Sequence, residues 1–526
     1  MPARGHEPES LDPGALHLGL DLGTSGLKAV ALDGSGDVVA RARTDYPTSR
    51  TRPGAAEQDP RDWTRAVEQV AAELASDAPP RRWRAIGLSA MLPTLVTAGA
   101  DGMPTGPAIS WEDSRAEEQA RRLRDVFGAA AGTAGDEGLY RTTGQWVDGR
   151  YLLPMFLRIA DEEPARAART STLLGAKDYL FSWLTGQAIT DPSTATGFGC
   201  FGLNAGDWSP AVLTAAAETA ARDAGDGHGR EDVSSGRSAC GRLPALPPVL
   251  AATATRPLRP EVAARLGCEQ LPVCVGAADS VLGALGLGVR SPGQIAYVAG
   301  TSTVILGVTG KPVLDPQHRF LVTPLAEPGR WGLEMDLLAT GSALRWLASL
   351  LGGGLDEAGV VRLAAQVDPA DAPVVLPYLS PGEQGALWDP KLRGTIASLT
   401  LGHDRRHLAR GLVNGIVLES RRCLAVLDET GPFAADLLVA GGSATAESFR
   451  ADLADATGRR VIMPAGQDTD FSARGAALLA ATAAGKPLPP VREPAAAMIC
   501  EADPRRAAMW DALWDRHERI RHAVHE

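Results

Sequence analysis

Asp21 closes an apolar run, "LHLGLDL", and the chain then bends through Gly23-Thr24-Ser25-Gly26 into a second apolar run that carries Lys28. A strand, a tight turn of glycines and hydroxyls and a returning strand gather backbone N–H groups and two hydroxyls at one concave tip, a nest suited to phosphate oxygens. A carboxylate at the end of a buried strand is costly to desolvate unless a cation or a donor meets it. Beside a phosphate the natural cation is Mg2+, held largely through water. The structural alternative is an Asp that stabilises its own turn. Lys28 either adds charge to the same phosphates or snorkels to the surface.

The pattern returns in "GQIAYVAGTSTVILGV", Gly293 to Val308, where Gly300-Thr301-Ser302 again separates two strand-like runs. One Gly-rich hairpin is unremarkable; its recurrence argues for a duplicated chain with two phosphate-binding turns. Other phosphate signatures fail. Gly310-Lys311 and Gly485-Lys486 are each followed by proline, so there is no P-loop. "GFGCFG", Gly197 to Gly202, follows the loop-like "TDPSTAT" and has neither the strand nor the helix that a dinucleotide fold requires.

Further stretches carry candidate chemistry. "LPVCVGAADSVLGALGLG" reads as a buried strand, a sharp turn and a Gly/Ala-rich helix with Asp279 at the junction. There an Asp serves as N-cap, and it also serves as a general base for an attacking hydroxyl; the two roles are compatible. "AISWEDSRA" sets Trp111, Asp113 and Arg115 where a strand gives way, either a sugar platform or a core Trp beside a surface ion pair. In "DLLVAGGSATAESFRADLADATGRRV" the missing side chains of Gly441 and Gly442 let a flat base or a ribose lie on the backbone.

The elements that must hold these residues follow the rhythm of an α/β protein. Short apolar runs such as "AIGLSA" and "VVLPYL" alternate with helical segments such as "WTRAVEQVAAELA". A chain of 526 residues exceeds what one core usually serves, and two large domains are expected. The net charge of −11 has the wrong sign for tracking phosphate backbones, so nucleic acid is not the expected partner. The six cysteines form no C-x-x-C pair, which suits a reducing cytoplasm. The first fifteen residues are polar and Pro-rich, and no uncharged apolar run approaches the length of a membrane span. Residues 221–241 read as a flexible insertion, and a Pro-rich connector leads to a C-terminal amphipathic helix whose Met509, Leu513 and Ile520 would dock on the body.

Taken together, "GLDLGTSGLK", "EQDPRDW", "PAISWEDSRA", "KDYLFSWLTG", "GAADSVLGALGLG", "AGTSTV", "VVLPYLS" and "LLVAGGSATAESFRADLADATG" resemble, in order, the motifs of the FGGY carbohydrate kinases, nearest to xylulokinase-type members. The resemblance runs from Leu16 to Gly485. It implies a duplicated ribonuclease-H/actin-like α/β fold with a deep interdomain cleft, ATP and Mg2+, and phosphorylation of a sugar or polyol hydroxyl, best a pentulose such as D-xylulose. By motif, Asp279 falls on the catalytic base and Asp21 on the acid at the phosphate and metal site. Thr24, Ser25, Lys28, Gly300 and Thr301 fall on phosphate contacts, and Gly341 with Gly441 and Gly442 on the adenosine side. Met91, Trp111, Asp113 and Arg115 fall on the sugar-facing side. The domains expected are a tail over 1–15, an N-terminal domain over 16–284, a C-terminal domain over 285–485, and a connector and helix over 486–526.

The departures from that pattern bear on the acceptor. Xylulose-specific members show Gly-Gln-Met-His where this chain has "SAMLPT", Ser89 to Thr94; "PGEQGALWD" replaces a Gly-Glu-Arg-Thr-Pro segment, Asn414 stands where a Glu is usual, and a K-x-x-W stretch is lost near "LPMFLRIA". Kinases for other ketoses, polyols or sugar acids are therefore the alternative, with an actin-like ATPase or a silent sugar sensor as rivals from other classes. The expected partner is a small sugar or polyol, with no nucleic acid and no membrane; a second copy of the chain is a candidate.

Overall fold

The computed structural model describes residues 14–132, 134–225, 243–380, 383–389, 391–464, 470–486 and 497–525. They fall into two compact units. The first comprises the residues up to Thr142, Val147–Leu282 and the stretch from Ser472; the second comprises Thr143–Trp146, Gly283–Phe471 and the C-terminal helix.

In the first unit, β1 (Leu16–Leu22) and β2 (Gly26–Leu32) form an antiparallel hairpin, and β3 (Trp83–Ala90) runs parallel to β1 on its other side. The helices α1 (Ala176–Thr185) and α2 (Pro192–Thr196) precede β4 (Pro272–Cys274) and β5 (Ala277–Ala278), which both pair parallel with β3, and α3 (Asp279–Leu287) starts where β5 stops. β1 is buried along its whole length, as a strand covered on both faces must be. The helix Pro60–Leu74 packs against β2 and the strand Val38–Asp45, with Asp59 accepting from the Arg61 N–H, Pro60 in the first turn and Trp63, Val67 and Val70 in the core. The loop-like "TDPSTAT" is in fact the short helix α2, because Asp191 caps it by accepting from the N–H groups of Ser193 and Thr194.

In the second unit, β6 (Ile295–Ala299) and β7 (Thr303–Thr309) form the second hairpin. α4 (Gly341–Leu351) and α5 (Arg405–Thr430) follow, and β8 (Asp436–Gly441) returns parallel to β6. On α5, Asn414 is buried and structural: its amide donates to Pro369 O at 2.9 Å, and its oxygen accepts from Arg410 Nε at 2.8 Å.

The helix α6 (Phe471–Ala483) carries the chain back to the first unit from Ser472 onward. The sequence reading kept 285–485 as one stretch; the packing divides it because α6 lies directly on backbone. Gly19 and Gly87 face each other across β1 and β3, and a Cβ on either would come 1.8 Å from Ala473 O or 1.9 Å from Ala476 O. The C-terminal helix α7 (Ala507–His525) packs in the second unit through Trp510, Leu513 and His517, with Met509 and Ile520 half-buried and Ile520 against the cluster of Val374, Leu376 and Tyr378. His517 Nε2 and Glu419 Oε1 are 2.7 Å apart, and Glu419 also accepts from Tyr378 and Arg422. Burial opposes the Glu419 charge, but Arg422 and His517 outweigh it and hold the carboxyl well below the usual range. Residues 1–13, most of the 221–241 insertion (from 226) and the connector 487–496 lie outside the described residues. Among the described residues no helix is long and apolar enough to cross a membrane.

His17, on β1, gives the first unit a pH dependence. It is 1 % exposed with no partner for Nδ1, and burial, then the charges of Lys486 and Arg84, push its pKa down to about 4. Below pH 6.5 the unfolded chain binds a proton that the folded unit refuses until about pH 4, so stability falls through that window. The full loss is about 3 kcal/mol at 1.36 kcal/mol per pKa unit. Denaturant unfolding from pH 7 to 4 should show the stability gap between wild type and His17→Gln shrinking by roughly that amount; a gap that stays constant with pH would refute it.

Candidate active site

The parallel strands of the first unit end together. Asp21 on β1 stands opposite Ser89 on β3, Ser89 opposite Ala277 on β5, and Ala90 opposite Ala278, so that Asp279 follows directly at the same edge of the sheet. Carboxyl ends of parallel strands are where α/β folds bind ligands. Asp21, only 5 % exposed, accepts from Ser89 Oγ at 2.7 Å. Lys28 sits directly across the hairpin from Asp21, which places both side chains on one face.

The Gly23–Gly26 turn is braced from below and from the side. The Gly23 N–H donates to Gly26 O at 3.0 Å, and Gln58 Nε2 donates to Thr24 O and to Thr48 Oγ1, each at 2.8 Å. Trp63 Nε1 donates to Gln58 Oε1 at 3.0 Å, fixing that amide, and the Tyr46 hydroxyl donates to Gly23 O. Burial, then Asp21 and Asp45, raise the Tyr46 pKa well above its ordinary value, so it remains a donor. Trp111 Nε1 donates to Thr24 Oγ1 at 2.9 Å. With that lone pair filled, the Thr24 O–H is left to donate outward, while Ser25 is exposed at the tip. Trp111 is thus tied to the Gly23–Gly26 turn, a link no spacing in the sequence reveals.

The other residues expected near an acceptor are less open. Asp113, 1 % exposed, accepts from the Ala56 N–H at 3.0 Å and from Arg115 Nη2 at 2.6 Å, and Arg115 also reaches Glu57 at 2.6 Å. Burial alone would lower the Arg115 pKa, but these two carboxylates raise it. The pair locks the loop that presents Trp111. Met91 is 2 % exposed and belongs to the main core, its N–H bonded to Leu22 O at 2.9 Å.

Asp279 begins α3 half-buried, its Oδ1 accepting from the Ser280 N–H at 2.9 Å and its carbonyl accepting from Ser472 Oγ at 2.9 Å. The sharp turn before it is Gly276, whose φ of +81° and whose Cβ position, 1.9 Å from Leu88 O, admit no side chain. Sequence reading assigned no role to Lys177, Asp178, Asp191, Ser193 or Ser472 around this segment. The available signal was the adjacent opposite charges in "AKDYLFSWLT", an otherwise apolar helix.

In the second unit the expected residues also meet. Gly441, at φ +97°, pairs with Ala299 so closely that a Cβ would lie 2.0 Å from Ala299 O, and Gly442 beyond it faces open space. Gly341 starts α4 against the Gly300–Ser302 turn: a Cβ there would be 2.2 Å from Gly300 O, and the Ser342 N–H donates to Thr301 O at 2.9 Å. Gly300, Thr301, Gly341, Gly441 and Gly442 therefore share one corner, where the N–H groups of the first turn of α4 are unpaired within the helix. The two hairpins are not identical. Leu22 pairs with Leu27 but Ala299 pairs with Thr303, so the second turn is one residue shorter.

Residues 16–223 match the model of the N-terminal domain of the FGGY family of carbohydrate kinases, and residues 295–484 match that of its C-terminal domain. The chain is 27 % identical to a gluconokinase of Bacillus subtilis over 483 residues, 89 % of this chain and 88 % of that one. It is 30 % identical to a xylulose kinase of Klebsiella pneumoniae over 467 residues, 88 % and 89 % of the two chains. The structure of a xylulose kinase from Rhodospirillum rubrum superposes with a TM-score of 0.81 at 28 % identity, covering 97 % of this chain and 99 % of the other.

Proposed function

The chain belongs to the FGGY family of carbohydrate kinases and is an ATP-dependent sugar kinase; on that premise we propose that its acceptor is a pentulose of the D-xylulose kind and that Asp279 is the general base. The observation that carries the assignment is the alignment of β1, β3 and β5, which sets Asp279 at the same strand edge as Asp21 and the Gly23–Gly26 turn. Asp279 takes the proton from the acceptor hydroxyl as that oxygen bonds to the γ-phosphorus and the bond to the ADP oxygen breaks. The phosphate contacts assigned to the first unit are Thr24, Ser25 and Lys28, and those assigned to the second are Gly300 and Thr301. Gly341, Gly441 and Gly442 form the adenosine side: Gly442 faces open space where a flat group can approach bare backbone, while Gly341 and Gly441 pack closely on the carbonyls of Gly300 and Ala299.

The donor set suits Mg2+. Asp21 is a buried carboxylate with a hydroxyl neighbour, and the described residues contain no cluster of three His, Cys, Asp or Glu that would cage a metal. Mg2+ asks for one or two carboxylates and otherwise takes water and phosphate. When bound it neutralises charge on the phosphates. Trp111, braced by Asp113 and Arg115, offers the face against which a sugar packs, and Met91 shapes the floor from the core.

The second reading, a sugar acid such as gluconate, is favoured by the likeness to a gluconokinase. The test is a coupled assay of ADP release over ketoses, polyols and gluconate. On this reading Leu92 or Pro93 stands where xylulose-specific relatives carry an imidazole that pairs with a sugar hydroxyl. One neutral hydrogen bond is worth about 0.5–1.5 kcal/mol. D-Xylulose should therefore be phosphorylated, with another acceptor turned over comparably. ADP release independent of every acceptor would refute the kinase assignment. A kcat/KM for D-xylulose above all others by more than about 100-fold would make the enzyme strict for it, against the loss inferred at Leu92 and Pro93.

A further inference from the structure

The segment that delivers Asp279 is anchored by buried charge. Lys177 is 1 % exposed and spends all three ammonium protons: on Asp178 Oδ1 at 3.0 Å, on Asp191 Oδ1 at 3.3 Å and on the carbonyl of Val275 at 3.0 Å. Asp191 accepts from Ser193 Oγ at 2.5 Å, and that oxygen in turn accepts from the N–H of Ala278 at 3.0 Å, the residue before Asp279. Burial opposes the Lys177 charge, but Asp178 and Asp191 outweigh it and keep the ammonium protonated. Both ends of Val275–Ala278 are thus pinned to one ionic cluster, while Gly276 is wedged against Leu88 O in the middle. Buried charge of this kind contributes little net stability, and a neutral apolar core would serve as well. Its retention here asks for another reason.

We propose that Lys177, Asp191 and Ser193 are positioning residues for the phosphoryl-transfer step, clamping the Val275–Ala278 backbone so that the Asp279 carboxylate is held at attack geometry. The inference rests on the assignment of Asp279 as the base. It acts by orientation alone, since a misplacement of about 1 Å at a reacting group costs on the order of 100-fold. Ser193→Ala removes the hydroxyl that accepts from Ala278 and leaves the ion pair intact, whereas Lys177→Met strands two buried carboxylates and risks the fold.

The experiment is a double-mutant cycle on the full-length enzyme with the best acceptor found in the ADP-release assay. Ser193→Ala should lower kcat about tenfold with the KM for ATP unchanged and the melting temperature nearly so, and Ser193→Thr, which keeps a hydroxyl, should restore most of the loss. In an Asp279→Asn background Ser193→Ala should cost nothing further, because there is no base left to misplace. An equal additional loss in that background, or a loss appearing in the KM for ATP, would overturn the clamp while leaving the base assignment standing. Full activity of Asp279→Asn by itself would instead overturn the base, and the clamp with it.

Discussion

Asp279→Asn should lower kcat by about 10²–10⁴-fold, the usual worth of a positioned general base, and leave nucleotide binding in place. Asn keeps the side-chain oxygen that accepts from the Ser280 N–H, so the start of α3 is preserved while the proton acceptor is lost. The change is close to isosteric at a half-buried position, so the effect reads chemistry rather than folding. Steady-state kinetics with the best acceptor, and calorimetry with ATP analogues, check the two halves of the expectation. Turnover above about a third of wild type would remove Asp279 from the mechanism.

Gly87→Val should cost the first unit about 3 kcal/mol or more, the upper end of what overpacking a core costs. The reason is that Gly87 lies under α6 with Ala476 O where its side chain would begin, and Gly19 beside it on β1 has the same relation to Ala473 O. A backbone carbonyl cannot rotate away as a side chain can, so either the helix lifts or the sheet bends. Gly102→Ala is the matched control. It sits at φ +75° with open space around it, and only the conformational penalty of about 1 kcal/mol applies. Urea unfolding followed by tryptophan fluorescence, to which the buried Trp63 and Trp83 of that unit contribute, measures the loss. If Gly87→Val proved no more destabilising than Gly102→Ala, the close approach of α6 would be wrong.

Much of the site was legible because its parts are local. A Gly-Thr-Ser turn between apolar runs declares itself within a dozen residues, and its recurrence at Gly300 exposed the duplication. A carboxylate where a buried strand meets a small-residue helix is equally local, and Asp279 lies as that pattern predicts, at the first residue of α3. Less legible was the balance of roles around Trp111. The spacing of Trp111, Asp113 and Arg115 suggested three groups facing a sugar, but Asp113 and Arg115 satisfy one another and Glu57. Glu57 lies in the strand Glu57–Gln58, paired antiparallel with Ala108–Ile109, and that pairing cannot be read from either stretch alone.

What the sequence by itself determined is therefore the local form of short segments: the two Gly-Thr-Ser turns, the acid at the strand–helix junction, the paired glycines at 441–442 and the α/β rhythm that carries them. These follow from propensities and desolvation costs that act over a few residues. Only the tertiary structure decided which segments meet. Register placed Asp21 beside Ser89 and brought Asp279 to the same edge through β5. Close packing on Gly19 and Gly87 returned α6 to the first unit, and Lys177, already beside Asp178 in its own helix, found Asp191 and the carbonyl of Val275 on other segments. Pairings of that kind are selected by burial and by the need to satisfy every buried polar group at once. No local run of residues encodes that condition.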